Sequence, residues 1–451
     1  MRLMLGLGQR GTFRHGVHPP EHKDETSGLA IRRFPFAPVL IVPLSQHLGK
    51  PAKPVVREGQ EVIRGQTIAE PDGFVSVAMH APVSGIVRRI ALAPSISGTM
   101  LRSVYLEPFP ASSQEVADGI PCDVDTATPE EIVHAIQRAG VVGLGGAAFP
   151  THVKIRAPEG KYLDTLIING VECEPYLTTD HRVMLEQTAD VFMGIRYLLK
   201  ASGAKEAIVA IEANKPDAVR KLAEHRPLDL PVSVRVCPVK YPQGAEKMVI
   251  KALLDREIPS GGLPVDVHAI CVNVATTAEI GRLLPRGRGI QERVITIGGP
   301  GVVRKGNYRI PIGTTVRFAL QEAGTATNLS RVFLGGPMMG PAVSNLDIPI
   351  TKGTSGITAF TTDETGESTG HKKVYPCIHC ARCVEACPLF LNPSHLGLLA
   401  KNEQYAQMAE EYNLMDCFEC GSCSYVCPSH IPLVQYFRLA KKMVRKLDVQ
   451  K

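Results

Sequence analysis

The sequence predicts a multidomain protein that combines α/β and all-β units, and three observations indicate this class. Residues from about 37 to 110 hold short β-rich segments separated by Gly and Pro, without a helical period. Residues from about 120 to 287 alternate apolar β-rich segments with helical stretches, which is typical of a parallel sheet covered by helices. Two cysteine runs of identical spacing follow between residues 377 and 427. A chain of 451 residues is long enough for three or four such domains.

Charge and hydropathy argue against two classes of function. The net charge is only +6, and no basic block is interleaved with aromatic residues, so we expect no nucleic-acid partner. No apolar run approaches the length that a bilayer span requires, so we expect no direct membrane span. We also find no secretory signal at the start of the sequence, which favours a reducing compartment.

The first β-rich unit, residues 37–110, follows an N-terminal arm at residues 1–36. Strands are predicted at 39–43, 61–69 and 85–92. The stretch 80–87 resembles the second half of a biotinyl/lipoyl-type barrel-sandwich hybrid domain. Carriers of that fold attach their cofactor to a lysine at a hairpin tip, but residues 72–80 contain no lysine. We therefore predict a rigid docking module rather than a swinging arm.

The α/β unit is predicted to span residues 120–287. Its first helix has a clear start, because Thr128 can cap it, Pro129 fits the first turn, and two acids follow at the positive end of the helix dipole. Gly140 is a plausible end. Strands are predicted at 163–168, 207–211, 232–236 and 268–274, with helices at 180–201, 216–224 and 244–254.

A glycine-rich loop at residues 141–154 is the strongest binding signal in this unit. Gly143, Gly145 and Gly146 lack side chains, so backbone N–H groups can approach a phosphate or a ring closely. Lys154 at the far end can neutralise an anion. The context differs from an ordinary Rossmann site, because a helix precedes the loop and a Phe-Pro pair follows it. On spacing alone, an ordinary glycine turn explains the loop equally well.

Polar loops follow three of the predicted strands. They occupy residues 169–175, 241–246 and 273–276. Ligands of parallel sheets bind at the carboxyl ends of the strands, so these loops and the glycine-rich loop are predicted to meet at one edge. Asn169, Glu172 and Glu174 could bind a ribityl chain or ribose hydroxyls. A polar loop that caps a helix is the simpler alternative for this segment.

The two cysteine runs both have the spacing C-x2-C-x2-C-x3-C-P, which is the bacterial two-cluster ferredoxin pattern. In that pattern the fourth cysteine of each run binds the cluster of the other run. One [4Fe–4S] cluster is therefore predicted on Cys377, Cys380, Cys383 and Cys427, and the second on Cys417, Cys420, Cys423 and Cys387. Zinc is the alternative, but eight thiolates in two identical runs fit paired zinc knuckles poorly.

The remaining segments complete the predicted organisation. Residues 288–345 form a small β-rich unit, and residues 346–373 are predicted to be a linker because Thr, Ser, Gly and charged residues dominate there. The ferredoxin unit occupies residues 374–434. The basic tail at 435–451 has apolar residues at helical spacing from Leu433 onward, so we predict a helix that packs on the ferredoxin unit; a membrane-surface helix is the alternative.

A chemical argument connects the α/β unit to the ferredoxin unit. Iron–sulfur clusters accept single electrons, whereas a nicotinamide delivers a hydride, and flavin is the common converter between the two. If the α/β unit binds a nucleotide, FMN or a related flavin is therefore the economical prediction for its ligand.

The glycine-rich loop with Lys154, together with residues 169–175, resembles the NADH- and FMN-binding subunit of respiratory complex I. The chain as a whole is similar to the C-subunit family of the Rnf complex, an ion-translocating ferredoxin:NAD oxidoreductase. Residues 13–20, 43–47, 49–52 and 80–85 resemble that family's N-terminal motifs, and the paired cysteine runs match its C-terminal part.

The resemblance implies roles for individual residues. The FMN would be lined by Gly143, Gly145, Gly146, Lys154, Asn169, Glu172, Asn273 and Thr276. Phe149 would stack near the nicotinamide, and Glu174 and Glu246 would face the NADH. The α/β unit would be a Rossmann-like FMN/NADH domain, and residues 288–345 would form a β-grasp domain. No catalytic acid or base is implied, because hydride transfer to a flavin depends on stacking and distance.

The predicted function is that of an NADH-oxidising electron-input subunit, with NADH, FMN and two [4Fe–4S] clusters as its cofactors. Its partners would be other subunits of a membrane electron-transport complex, including an iron–sulfur protein, with ferredoxin as an indirect partner. It would lie peripherally on the cytoplasmic face of the inner membrane. Two alternatives are a flavin and iron–sulfur cobalamin reductase and a cluster-bearing scaffold without flavin.

Overall fold

The structure is a computed structural model, and it describes residues 11–362 and 373–449. The described strands form four sheets, and short helices connect or cover them. The strands are β1 (Arg32–Arg33), β2 (Leu40–Pro43), β3 (Lys53–Pro54), β4 (Glu61–Val62), β5 (Thr67–Glu70), β6 (Met79–His80), β7 (Gly85–Pro94), β8 (Met100–Pro108), β9 (Thr165–Gly170), β10 (Glu206–Glu212), β11 (Val232–Cys237), β12 (Ala269–Asn273), β13 (Glu292–Gly298), β14 (Gly306–Pro311), β15 (Leu329–Leu334) and β16 (Gly356–Thr361).

The helices agree closely with the predicted positions, except that the long helix predicted at 180–201 is two helices that meet at Gln187. The α-helices are Asp24–Ser27, Pro129–Arg138, Thr151–Lys154, Thr179–Glu186, Thr188–Ser202, Pro216–Glu224, Glu246–Leu254, Val274–Leu283, Val316–Ala323, Arg382–Glu385, Pro393–Lys401, Tyr405–Glu410, Ser422–Tyr425 and Leu433–Val449, and the 3-10 helices are Pro264–Val267, Leu284–Arg286 and Leu414–Asp416.

Two antiparallel sheets form the predicted barrel-sandwich unit. One has the order β2-β8-β7-β4 and the other the order β3-β5-β6. Their inward side chains include Leu40, Ile68, Met79 and Leu106, all of which are completely buried. Alternation of buried and exposed residues along short strands is the expected consequence of packing one face of each sheet against the other.

A four-stranded parallel sheet of order β11-β10-β9-β12 forms the core of the α/β unit. The predicted parallel, helix-covered sheet is therefore confirmed. The two central strands are almost entirely buried, because helices cover both faces. The helix Pro129–Arg138 begins with the predicted capping box: Thr128 Oγ1 accepts from the amide of Glu131 at 3.3 Å, and the Glu131 carboxylate accepts from the amide of Thr128 at 2.7 Å.

The third unit is a five-stranded sheet of order β1-β14-β13-β16-β15, with the helix Val316–Ala323 packed on it. The linker prediction was wrong for residues 356–361, because β16 lies inside this sheet and pairs with both β13 and β15. Composition misled the prediction, since buried threonines such as Thr358 satisfy their hydroxyls inside the sheet. Residues 363–372 of the predicted linker lie outside the described residues. The N-terminal arm also contributes the edge strand β1.

The C-terminal unit is helical and small. The helix Leu433–Val449 packs on the two cysteine-bearing segments through Leu433, Phe437 and Ala440. This confirms the prediction that the basic tail covers the ferredoxin unit. Two of its basic side chains also contact this unit, because Arg438 and Lys441 both pair with Glu419, at 3.0 Å and 3.1 Å. In the two described ranges, no helix combines the length and the apolar character needed to cross a bilayer.

Candidate functional site

Two hydrogen bonds hold the glycine-rich loop in place. The amide of Gly143 donates to the carbonyl of Phe149 at 2.9 Å, which closes the loop. The amide of Leu144 donates to Oγ1 of Thr276 at 2.9 Å, which holds the loop against the helix Val274–Leu283. Gly145 and Gly146, by contrast, are exposed. A backbone without side chains is thereby presented to solvent at the edge of the sheet, as a planar or phosphorylated ligand requires.

Gly145 shows why a glycine is needed in this loop. A Cβ atom at this position would lie 2.5 Å from Nδ2 of Asn273, which is too close for any real contact. At Gly146, by contrast, a Cβ atom would have no other atom within 4 Å. Gly145 is therefore required because it packs against Asn273, whereas Gly146 faces open space.

The four predicted loops do meet at one edge of the parallel sheet. Nδ2 of Asn169 donates to the carbonyl of Gly244 at 2.8 Å, which joins the loops after β9 and β11. Gly145 touches Asn273 after β12, as described above. Lys154 reaches Glu246, which begins the helix Glu246–Leu254. These contacts confirm that the predicted loops meet at the carboxyl edge of the sheet, which is where ligands of parallel sheets bind.

Lys154 and Glu246 form an ion pair across this pocket. Their Nζ and Oε1 atoms lie 2.5 Å apart, and about one third of each side chain is exposed. Burial works against the Lys154 ammonium, but the attraction of Glu246 outweighs it, so the pKa of Lys154 is raised. The lysine is therefore cationic at neutral pH, and both side chains are accessible to an entering ligand.

Behind the loop lies a network of buried polar groups. Oδ1 of Asn273 accepts from the amides of Ala275 and Thr276, at 2.9 Å and 3.2 Å, and so caps their helix. Its Nδ2 donates to Asp180 at 2.7 Å. The carboxylate of Glu172 accepts from the amide of Asp180 at 2.9 Å. Burial, and then the nearby Glu172 charge, raise the pKa of Asp180.

Two of the predicted site residues, Glu172 and Glu174, already have backbone partners within the chain. Glu172 is buried and caps the helix Thr179–Glu186, as the simpler alternative for its loop suggested. Glu174 accepts from the amides of Met338 and Met339, at 3.1 Å and 2.8 Å, in the loop after β15. Burial outweighs these hydrogen bonds and raises the pKa of Glu174 to about 7. Contact of Glu174 with NADH would have to use the same carboxylate oxygens.

The first predicted cluster set lines a single pocket in the C-terminal unit. Cys377, Cys380, Cys383 and Cys427 all face it, together with Ile378 and Leu398. Burial raises the pKa of the Cys383 thiol, and the nearby thiols of Cys427, Cys377 and Cys380 act in the same direction. The fourth ligand thus comes from the other run, which is the crossed arrangement that the spacing predicts. The residues present fit a [4Fe–4S] cluster at this pocket.

The second set has the matching arrangement. Burial, the largest effect, raises the pKa of the Cys423 thiol, and the thiols of Cys417, Cys420 and Cys387 act in the same direction, followed by that of Cys383 from the first set. The carbonyl of Cys417 accepts a hydrogen bond from Lys441 of the C-terminal helix. A cation beside the ligands is favourable for a cluster with four thiolates, since it offsets part of their negative charge. In the described ranges, no three His, Cys, Asp or Glu side chains converge tightly enough to hold a single metal ion.

The second set adjoins the flavin-type pocket. The hydroxyl of Tyr241, on the loop after β11, donates to the carbonyl of Cys420 at 2.5 Å. Gly421 touches the carbonyl of Met338, whose amide bonds to Glu174. The N-terminal arm joins the same junction, because Val17 and Tyr241 exchange two backbone hydrogen bonds of 2.8 Å and 2.9 Å. Four parts of the chain therefore meet beside the Cys420 set: the N-terminal arm, the α/β unit, the five-stranded-sheet unit and the C-terminal unit.

Several residues of this region escaped prediction. Asp180 and Arg293 lie behind the loop, and Lys23 donates to three carbonyls of the segment after β9, those of Glu172, Glu174 and Leu177. Each of these three is an isolated polar residue, and its neighbours in the sequence form no motif that would have identified it. Only Tyr241 had a signal, since it begins a polar loop after a predicted strand.

Four family models match the chain, one for each unit. They are the RnfC barrel sandwich hybrid domain at residues 11–109, the Nuo51 FMN-binding domain at 136–282, the SLBB domain at 294–342 and the 4Fe-4S dicluster domain at 376–431. The third of these corresponds to the unit predicted as β-grasp. The matches confirm the predicted order of units and both kinds of cofactor, FMN and [4Fe–4S] clusters.

Curated relatives match over almost the whole chain. The C subunit of the proton-translocating ferredoxin:NAD(+) oxidoreductase complex of Clostridium ljungdahlii is 42% identical over 95% of this chain and 93% of its own length. The C subunit of the Na(+)-translocating complex of Acetobacterium woodii is 37% identical over 97% of this chain and 98% of its own length. The C subunit of the ion-translocating oxidoreductase complex of Rhodobacter capsulatus is 38% identical over 96% of this chain and 83% of its own length.

A pocket of the FMN-binding type beside two crossed cysteine sets defines a flavin and iron–sulfur electron-transfer protein. The extent of the match to these relatives then settles the family. The chain belongs to the C-subunit family of the Rnf-type ferredoxin:NAD(+) oxidoreductase complexes.

Proposed function

We propose that this chain is the NADH-oxidising electron-input subunit of an ion-translocating ferredoxin:NAD oxidoreductase. Bound FMN supplies the conversion of a hydride into single electrons. The single observation that carries the proposal is the contiguity of the two sites, since Tyr241 belongs to the pocket edge and bonds to the cluster ligand Cys420.

Each part of the pocket has a task in this proposal. The exposed backbone at Gly145 and Gly146 lets FMN lie close to the chain, and the Thr276 hydroxyl fixes the loop beneath it. Lys154 neutralises negative charge on FMN or NADH, and Glu246 is free to accept from a ribose hydroxyl once Lys154 turns to the ligand. Phe149 is half-buried at the end of the loop and provides a ring for the nicotinamide. These groups bind and orient; none has to move a proton.

The arrangement also gives the two cysteine sets different tasks. The set of Cys417, Cys420, Cys423 and Cys387 adjoins the pocket and receives electrons first. The set of Cys377, Cys380, Cys383 and Cys427 is the more exposed one, because Cys380 is exposed and Ile378, which lines the same pocket, is 66% exposed. Exposed apolar residues over a cluster suit the docking of another redox protein. We propose that an iron–sulfur subunit docks here and exchanges electrons with ferredoxin through the rest of the complex.

The complex would hold this subunit on the cytoplasmic face of the inner membrane through its partner subunits. The same chain of cofactors conducts electrons in both directions, so the subunit would serve reduction of NAD(+) as well as oxidation of NADH.

Anaerobic purification, flavin and iron analysis and a titration with NADH test the proposal. We expect one FMN and two [4Fe–4S] clusters per chain, with flavin and cluster absorbance both bleached by NADH. Material that binds both clusters but no flavin would support the scaffold alternative and overturn the proposal.

A further inference from the structure

Two buried basic side chains from outside the flavin domain, Arg293 and Lys352, donate to backbone carbonyls within and just before the glycine-rich loop, those of Leu144 and Gly140. Arg293 lies on β13 and is 2% exposed, and Lys352 lies in the turn that precedes β16 and is 1% exposed. A buried charge is costly unless it has hydrogen-bond partners. The partners that these two side chains use are therefore informative about what they hold in place.

Arg293 fixes the middle of the loop. Its Nη2 donates to the carbonyl of Leu144 at 2.7 Å, and its Nε donates to the carbonyl of Thr354 at 3.3 Å. The amide of Leu144 already donates to Thr276. Both backbone polar groups of Leu144 are thus held by residues outside the loop, one from the flavin domain and one from the SLBB unit. The adjacent glycines have little freedom to rearrange while these two bonds persist.

Lys352 fixes the segment that leads into the loop. Its Nζ donates to the carbonyls of Gly140 and Ala78, at 2.8 Å and 2.7 Å, so it joins the flavin domain to the barrel-sandwich unit. Its own amide donates to Oε1 of Gln46 at 3.0 Å. Burial lowers the pKa of Lys352 to about 7, and a lysine donates to two carbonyls in either protonation state.

The turn that carries Lys352 also abuts the loop directly. It is closed by two hydrogen bonds of 3.1 Å between Thr351 and Thr354, so it is a compact unit. A Cβ atom built on Gly353 would lie 3.0 Å from Cβ of Ala148, within the glycine-rich loop. The same Cβ atom would lie 3.8 Å from the carbonyl oxygen of Gly146, so the turn packs against the loop at Ala148 and Gly146.

We propose that Arg293 and Lys352 are positioning residues for FMN, through which the SLBB and barrel-sandwich units hold the glycine-rich loop in its binding conformation. The flavin domain alone would then carry the ligand contacts but only part of the hydrogen bonding that holds the loop, namely the bonds to Thr276 and Phe149. This inference rests on the proposed binding of FMN at the loop.

The test compares Arg293→Met and Lys352→Met in the full-length chain, with Arg309→Met as the matched control. Arg309 lies on the neighbouring strand β14 and bonds to Glu292, at 3.4 Å, but not to the loop. The measurements are the apparent Kd for FMN, from flavin fluorescence on flavin-depleted protein, the FMN midpoint potential and the iron content. We expect Arg293→Met to weaken FMN binding about tenfold to a hundredfold, the effect of losing a charged hydrogen bond.

Lys352→Met should weaken FMN binding about tenfold, because Lys352 bonds to Gly140, just before the loop, and not to the loop itself. In both variants we expect a shifted FMN midpoint potential and an unchanged iron content. Arg309→Met should lower the thermal unfolding temperature without changing the affinity for FMN or its potential. Unchanged FMN affinity and potential in Arg293→Met, whatever its stability, would overturn the inference.

If Arg293→Met does not accumulate, Arg293→Lys serves instead. Lysine keeps the charge but lacks the planar fork that reaches both Leu144 and Thr354, so we expect weaker FMN binding at nearly normal stability. Wild-type affinity in Arg293→Lys would then overturn the inference. Failure of the wild-type protein itself to bind FMN would instead count against the proposed function.

Discussion

The hydroxyl of Tyr241 donates a hydrogen bond of 2.5 Å to the backbone carbonyl of Cys420, across the boundary between the flavin and ferredoxin units. Tyr241 is 1% exposed, and Val17 of the N-terminal arm packs beside it. A backbone carbonyl of a cluster ligand is thus fixed by the same loop that ends at Glu246 in the flavin-type pocket. This contact joins the two halves of the proposed electron route.

Replacing Tyr241 by Phe should loosen this junction without opening a cavity. We expect NADH to reduce the flavin at the wild-type rate, while electrons pass to the clusters more slowly because the two units are no longer held in register. The lost hydrogen bond should also lower stability by about 1 kcal/mol. Stopped-flow absorbance, with flavin and cluster bands followed separately, measures both steps. Equal slowing of both steps would contradict the specific role of this contact.

Substitution at the Lys154–Glu246 pair should impair the reaction with NADH. Lys154→Met removes the cation and Glu246→Gln the anion, so each should slow the NADH-driven reduction of flavin by about tenfold or more at fixed NADH. Lys161→Met is the matched control, because Lys161 also pairs with an acid, Asp266, but on the surface away from the pocket. Normal flavin reduction in both pocket variants would remove these residues from the site.

The two cysteine sets should respond differently to equivalent substitutions. Cys380 and Cys420 occupy the same position in the two runs. In Cys380→Ala, NADH should still reduce the flavin and the cluster next to Tyr241, and electrons should fail to leave. In Cys420→Ala, the flavin should be reduced and the remaining cluster should stay oxidised. EPR spectra of NADH-treated anaerobic samples distinguish the two, and the opposite pattern would reverse the proposed order.

Glu174 should make stability depend on pH. Burial raises the folded-state pKa of Glu174 from an unfolded value of 4.5 to about 7, so the folded protein binds the proton more tightly than the unfolded chain. The stabilising contribution is therefore complete below about pH 4.5 and is lost as the pH rises towards 7. The shift corresponds to a few kcal/mol at most, roughly 1.4 kcal/mol for each pH unit.

Glu174→Gln isolates this contribution because glutamine does not titrate. Thermal unfolding of the two proteins between pH 4.5 and 8 should show the wild-type protein losing stability relative to the variant as the pH rises. A constant difference across this range would mean that Glu174 stays ionised on its two amides from Met338 and Met339.

The capping box of Thr128 has a simpler expected effect. Thr128→Ala removes the hydroxyl that accepts from Glu131, so the helix Pro129–Arg138 should lose about 1 kcal/mol. The helix leads directly into the glycine-rich loop, so some loss of FMN affinity is expected. The loss should be smaller than in Arg293→Met, because Thr128 lies at the far end of the helix whereas Arg293 bonds to the loop itself. Calorimetry and the fluorescence titration measure the two effects. A larger loss of FMN binding than in Arg293→Met would place the anchor of the loop in the helix instead.

The sequence by itself determined the features that depend on local order. The spacing of the cysteines identified the crossed cluster sets, and the capping pattern at Thr128 located a helix start to the residue. The alternation of strands and helices predicted the parallel sheet, and hence the edge at which Asn169, Glu246 and Asn273 come together. All of these features depend on residues that are close in sequence, because periodicity, capping and ligand spacing involve near neighbours along the chain.

Only the tertiary structure decided what holds the site together. Arg293 and Leu144 are 149 residues apart, Lys352 and Gly140 are 212 apart, and Tyr241 and Cys420 are 179 apart. The strand β16 was missed for the same reason, since Thr358 donates to the carbonyl of Gly335, which follows β15 and lies 23 residues away. Composition and periodicity contain no record of such partners, because a buried polar group is recognisable only once the folded chain has brought its acceptor within hydrogen-bonding distance.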